Sequence, residues 1–240
     1  MRSKHFHGIS PASDGICRMN NLSYGGPASI IPPATTALWY DLTPNNRNGT
    51  DVTGGSWPSF DGVGDYVVAP GPYVASGGAA LPITADLTSA TMECWAKPAA
   101  TGLAANSRII SINSVTTTGY LIVSLRTNGE LRCYVNNSNR MNTAAGVITA
   151  SNWFHIVMTA GTGVVPIIYV NGADVTSGGA GALAYPQSNT QIAVGATLYN
   201  PGPSTTQRFT GEIDTANVYD RILPPDEVKN NFNAGKAAHP

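Results

Sequence analysis

The chain has 240 residues, 42% hydrophobic and 11% charged, with a net charge of −1. That length allows one full-sized β domain with a substantial core, and a charge content far below the ~25% of ordinary soluble proteins leaves solubility to Asn, Thr, Ser and the backbone. A near-neutral chain carries no electrostatic footprint for nucleic acid or an anionic membrane, and neither is expected as a partner.

Residues 1–33 read as an extended N-terminal arm. MRSKHFHGISPASDGICRMNN has basic residues but no apolar stretch behind them, so a signal peptide is not expected. No window approaches the ~18 consecutive apolar residues of a membrane span. The arm shows neither helical nor alternating periodicity and ends in the breaker IIPP. A segment of this kind is ordered only when something holds it, and the expectation is an assembly contact with a neighbouring chain. Cys17 lies within it, as an inert thiol or, in an oxidising setting, as an intermolecular disulfide. His5 and His7 form an isolated pair to which no metal is assigned.

From residue 34 to 240 the strand signals recur. ALWYDL, SWPSF, DYVVA, TMECWAKP, RIISI, YLIVSL, LRCYVNN, WFHIVMTA, VVPIIYVNG, QIAVGAT and FTGEIDTANVY are rich in β-branched and aromatic residues and bounded by Gly, Pro, Asn or Asp. Asn128-Gly129 predicts a two-residue hairpin turn, and Asn171-Gly172 repeats that chemistry. Cys94 and Cys133 fall inside strand runs, where a thiol behaves as a small hydrophobe. His155 reads as a core or edge histidine, with no nucleophile motif beside it. PPDEVKNNFNAG carries the one helix signal: prolines and acids at its start, Val228 and Phe232 one turn apart, and Gly235 at its end.

Several of these segments, in this order, resemble the laminin G-like branch of the concanavalin A-like lectin and glucanase superfamily over roughly residues 34–235. LWYDLTPNNRNGT resembles its opening strand and loop, FDGVGDYVV its aromatic-Asp-Gly turn, and MECWAKP its strand ending in Lys-Pro. NWFHIVMTA followed by IIYVNG resembles its tryptophan strand and hairpin, and FTGEIDTANVYDRILPPDEV its closing strand, turn and helix. The resemblance implies an all-β fold: a two-sheet antiparallel jelly-roll sandwich with a short C-terminal helix.

Glu212 and Asp214, two apart on a strand, should share a face, and laminarinase-type relatives carry catalytic acids in that arrangement. Here Thr215, Ala216 and Asn217 follow, so the further acid of that set is missing. The Gly-x-Ile-Asp pattern of noncatalytic relatives fits Gly211–Asp214, and no enzyme is expected. Members of the superfamily often hold calcium. Asp61, Asp65 and Asp214 are the candidates, although the favoured reading gives Asp61 a turn-forming role. No other cofactor is expected. Trp57, Tyr73, Tyr185 and Tyr199 sit in Gly/Pro-rich loops as platforms for a sugar or as plain loop caps.

Two functions of different class are expected from these readings. The first is a noncatalytic structural protein of an extracellular assembly, such as a bacteriophage capsid decoration, collar or fibre protein. It would be made in the host cytoplasm, displayed on the virion surface and bound to other subunits, its own copies among them, through the arm. The second is a stand-alone module that binds a surface polysaccharide. A glycoside hydrolase using Glu212 and Asp214 is the third and least supported.

Overall fold

A computed structural model describes residues 17–19, 38–41, 49–51, 59–62, 66–69, 89–99, 106–114, 121–135, 138–179, 190–199, 202–203, 207–219 and 221–240. The strands of the first half are β1 (Cys17–Met19), β2 (Leu38–Asp41), β3 (Gly49–Asp51), β4 (Ser59–Asp61), β5 (Val67–Ala69), β6 (Ser89–Pro98), β7 (Ser107–Ser114), β8 (Leu121–Leu125) and β9 (Leu131–Val135). Those of the second half are β10 (Ser138–Thr143), β11 (Phe154–Gly161), β12 (Val164–Val170), β13 (Ala173–Asp174), β14 (Thr176–Gly179), β15 (Thr190–Val194), β16 (Leu198–Tyr199), β17 (Gly202–Pro203) and β18 (Thr210–Tyr219). One helix, α1 (Pro225–Gly235), follows. Every run read as a strand from the sequence contains one.

The strands form a jelly-roll sandwich of two antiparallel layers. One layer runs β13-β12-β11-β6-β18 and the other β15-β7-β8-β9-β10-β14, and β1, β2, β3 and β5 join them along a continuous hydrogen-bonded path. Alternation along each strand builds the shared core. Met92 and Cys94 of β6, Ile156 and Met158 of β11, and Ile213 and Val218 of β18 face inward from one layer. Ile109 and Ile112 of β7, Leu121 and Val123 of β8, and Leu131 and Cys133 of β9 meet them from the other. Both thiols are buried and outside any disulfide, as their strand positions predicted.

Cys17–Met19 falls inside the stretch read as an arm, yet it is a strand of the domain's own sheet. It lies between β18 and β2, with Cys17 opposite Val218 on one side and Asp41 on the other. The backbone of this piece is satisfied within its own domain rather than by a neighbour. The rest of residues 1–33, and the side chain of Cys17, lie outside the described residues.

The two Asn-Gly turns differ. Asn171 and Gly172 both take positive φ, at 53° and 77°, between β12 and β13, which is the two-residue turn expected. At Asn128-Gly129 only Gly129 does, at 75°. There Gly129 N–H bonds the Arg126 carbonyl at 3.0 Å and Arg126 N–H bonds that of Glu130 at 2.9 Å, closing a three-residue loop instead of a two-residue one.

The helix lies on the outer face of the β6–β11–β18 layer. Pro224 and Pro225 set its start, and Arg221 grips Glu227 through two contacts of 2.9 and 2.7 Å. Val228 is buried with Val157, Tyr169, Tyr219 and Leu223 in a second apolar cluster. Gly235 is helical rather than a left-handed cap. Its role is proximity, because a Cβ there would stand 2.6 Å from Trp95 Nε1.

Candidate functional site

Polar chemistry collects on that outer face. With Met92, Cys94 and Ala96 of β6 turned into the core, Glu93, Trp95 and Lys97 point the other way. On β18, Gly211 and Ile213 are buried while Glu212 and Asp214 are not, so the two acids share a side as the sequence predicted. The register then shifts between Ile213 and Thr215. This bulge returns Ala216 and Val218 to the core and sends Asn217 and Tyr219 outward with the acids.

Beneath the helix, Glu93 joins three strands. It is 3% exposed, and its Oε1 accepts from His155 Nε2 at 2.7 Å. Its Oε2 accepts from the Asn217 amide at 3.0 Å and the Tyr219 hydroxyl at 2.6 Å. Burial pushes the Glu93 carboxyl up, but the hydrogen bond and charge of His155, with the bonds from Tyr219 and Asn217, outweigh it and hold the group below the ordinary 4.5. His155 thus proves a core histidine, 1% exposed. The network ties β6, β11 and β18 together under α1.

Towards the end of the helix, His239 folds back on the sheet. Its Nε2 lies 2.8 Å from Asp214 Oδ2 and its Nδ1 2.9 Å from the Gly235 carbonyl. The ring stacks on Trp95 and meets Trp153 edge-on, with centroids 4.9 Å apart in the second contact.

Beyond His239 a cleft of about 320 Å³ opens among β4, β6, β18 and the turn before β11. Lys97, Glu212, Ser59, Thr210 and Ser151 line it. Cross-strand pairing puts Glu212 opposite Lys97 on one side and Ser59 on the other, and Lys97 Nζ stands 3.2 Å from Glu212 Oε1. Gly211, at φ 138°, lets the strands close up: a Cβ there would collide with the Lys97 carbonyl and lie 2.8 Å from Ala99 N. Ser151, at φ 65°, caps the turn with an N–H bond of 2.7 Å to the Pro98 carbonyl. Beside Lys97, Trp153 is half-buried, with Lys97 Nζ over its ring at 5.8 Å from the centroid. Donors, an acceptor and a partly open indole therefore meet in one place.

Neither acid of the predicted pair is unengaged: Glu212 holds Lys97, and Asp214 holds His239. Of the calcium candidates, Asp61 pairs through its backbone with Thr210, while its side chain and all of Asp65 lie outside the described residues. Among the described residues no three His, Cys, Asp or Glu side chains gather as a metal-binding group. Trp57, Tyr73 and Tyr185 lie outside the described residues, as does the side chain of Tyr199, whose backbone belongs to β16. Sequence reasoning passed over Trp153 by absorbing it into the strand run. The strand begins one residue later, at Phe154, which leaves Trp153 in the turn before it.

A two-layer antiparallel sandwich with this terminal helix is a lectin-like fold, and no described helix is long and apolar enough to cross a membrane. The family profile described as the concanavalin A-like lectin/glucanases superfamily matches residues 61–229, and the chain belongs to that superfamily. Among solved structures it is similar to Trypanosoma rangeli sialidase in complex with 2,3-difluoro-KDN. That match has 15% identity and a TM-score of 0.64, over 92% of this chain and 32% of the other. It is also similar to the CBM40 of Ruminococcus gnavus IT-sialidase bound to alpha2,3 sialyllactose. There the identity is 14% and the TM-score 0.51, over 61% of this chain and 83% of the other. The chain spans about a third of the sialidase it matches, and at such identities the likeness is one of fold. No curated protein matches in sequence.

Proposed function

We propose that this sandwich is a noncatalytic carbohydrate-binding domain whose site is the cleft between Lys97, Glu212 and Trp153. The observation that carries the reading is the half-buried indole beside a cleft lined by hydroxyls and an ion pair. Sugars are held by an aromatic face together with polar groups that both donate and accept. The carbohydrate ligand in the R. gnavus CBM40 complex supports the same direction. Against hydrolysis stands the engagement of each acid, Glu212 by the Lys97 ammonium and Asp214 by a ring nitrogen of His239, since retaining chemistry needs one carboxyl free to protonate and a second free to attack. The test is a polysaccharide array probed with the full chain and with W153A. Retention of the parent protein and its loss in the variant are expected. Silence across the array would overturn the reading, and β-glucan hydrolysis abolished by E212Q would overturn its noncatalytic half.

A structural role in an extracellular assembly, such as a bacteriophage decoration, collar or fibre protein, is the second reading. The 11% charge content favours it, because a sparsely charged surface opposes close contact between like subunits less strongly. Its test is incorporation after removal of residues 1–16, which leaves β1 in the sheet. Normal incorporation of the truncated chain would remove the arm from that role.

A further inference from the structure

We infer that the Lys97–Glu212 cleft takes a neutral sugar through two adjacent ring hydroxyls and rejects acidic ones. This deepens the glycan-binding reading and rests on it. The argument begins with valence. Lys97 offers only donors and Glu212, as a carboxylate, only acceptors, and the two are 3.2 Å apart. A sugar hydroxyl both donates and accepts. One hydroxyl accepting from Lys97 while its neighbour donates to Glu212 therefore satisfies the pair without breaking its charge balance. Both side chains remain open to solvent, at 33% and 40% exposure, so a ligand reaches them without unfolding anything. Ser59 and Ser151, exposed on the cleft lining, extend the same two-way hydrogen bonding along the ring. Trp153, next to the cleft with Lys97 Nζ over its ring, offers apolar surface for the C–H face of the sugar.

Charge sets the selectivity. The positive charge of Lys97 is already matched by Glu212, and Asp214, in contact with His239, follows on the same strand face. A ligand carboxylate drawn to Lys97 would stand beside Glu212, a like-charge approach with no second cation among the described side chains lining the cleft. A neutral ring meets no such opposition.

Isothermal titration of the full chain with cellobiose, maltose, lactose, mannobiose and galactobiose, set against digalacturonate and free sialic acid, tests this. A neutral disaccharide should bind at least tenfold tighter than either acid. E212Q and K97M should each weaken it tenfold or more, with melting temperatures close to the parent's, and they carry the test should W153A fold poorly. Acids binding as tightly as neutral sugars would sink the selectivity and leave glycan binding intact. Neutral binding undiminished in both E212Q and K97M would sink the cleft as the site. Absence of binding to these sugars and to the polysaccharide array would sink this inference and the proposed function together.

Discussion

The imidazole of His239 lies flat on the indole of Trp95, with centroids 4.1 Å apart and planes 6° from parallel. Sequence separates the two by most of the domain, so the stack ties the segment after the helix to the middle of β6. Replacing His239 with alanine removes the stack, the Asp214 contact and the bond to Gly235. A loss of about 1–2 kcal/mol is expected, lowering the melting temperature by roughly 2–8 °C. Emission from Trp95 should shift red as its covered face meets water. An unchanged emission spectrum would show that the ring does not rest there in solution.

Glu93 should contribute to the acid limit of stability. Its folded value lies below its ordinary 4.5, so the unfolded chain takes up the proton first. The stabilisation is therefore complete above about pH 4.5 and drains away as pH falls through the lowered folded value. Melting curves from pH 7 to 3 should show a steep acid decline. E93Q should be less stable at pH 7 by about 3 kcal/mol, because buried donors lose their charged partner, and should decline less steeply below pH 4.5. Parallel curves for the two proteins would remove Glu93 from the acid transition.

Gly235→Ala should be harmful even though alanine favours a helix. The added methyl meets the Trp95 ring edge at 2.6 Å, so the last turn must lift or the indole must move, at a cost of about 1–3 kcal/mol. Thermal denaturation decides the sign. A stabilised variant would mean that the helix end stands further from the sheet.

Cys94 and Cys133 should resist thiol reagents in the native protein. Burial, and then the neighbouring Glu93 charge, push the Cys94 thiol far up, which suppresses the reactive thiolate. Titration with a chromogenic disulfide before and after denaturation should reveal both only on unfolding. Rapid native labelling at either position, located by peptide mapping, would contradict the closed core.

The strands were legible because burial enforces period-two alternation, as in LRCYV, where Leu131, Cys133 and Val135 turn inward and Arg132 and Tyr134 do not. The helix was legible from its prolines, its early acids and the Val228–Phe232 spacing. Less could be read where tertiary contact overrides local pattern. The bulge at Asp214–Thr215 reverses the parity of β18, so a simple count from Glu212 puts Asn217 and Tyr219 in the core instead of beside Glu93. Gly235 carries the look of a helix terminator, yet its purpose is set by a tryptophan in another strand. The site was half visible. Glu212 was singled out by its spacing from Asp214, whereas Lys97 and Trp153 gain meaning only when β6, β18 and the turn at Ser151 converge.

The place of β1 governs when the domain can be completed. Cys17 meets Val218 across the sheet, so one of the earliest strands to be synthesised waits for one of the last, roughly 200 residues later. Closure at that seam belongs to the end of folding, after the ribosome has released β18, and such distant pairing slows the reaction as a whole. Until then the flank of β1 that β18 will occupy is open, and a chain stalled at this stage would offer it to any strand nearby.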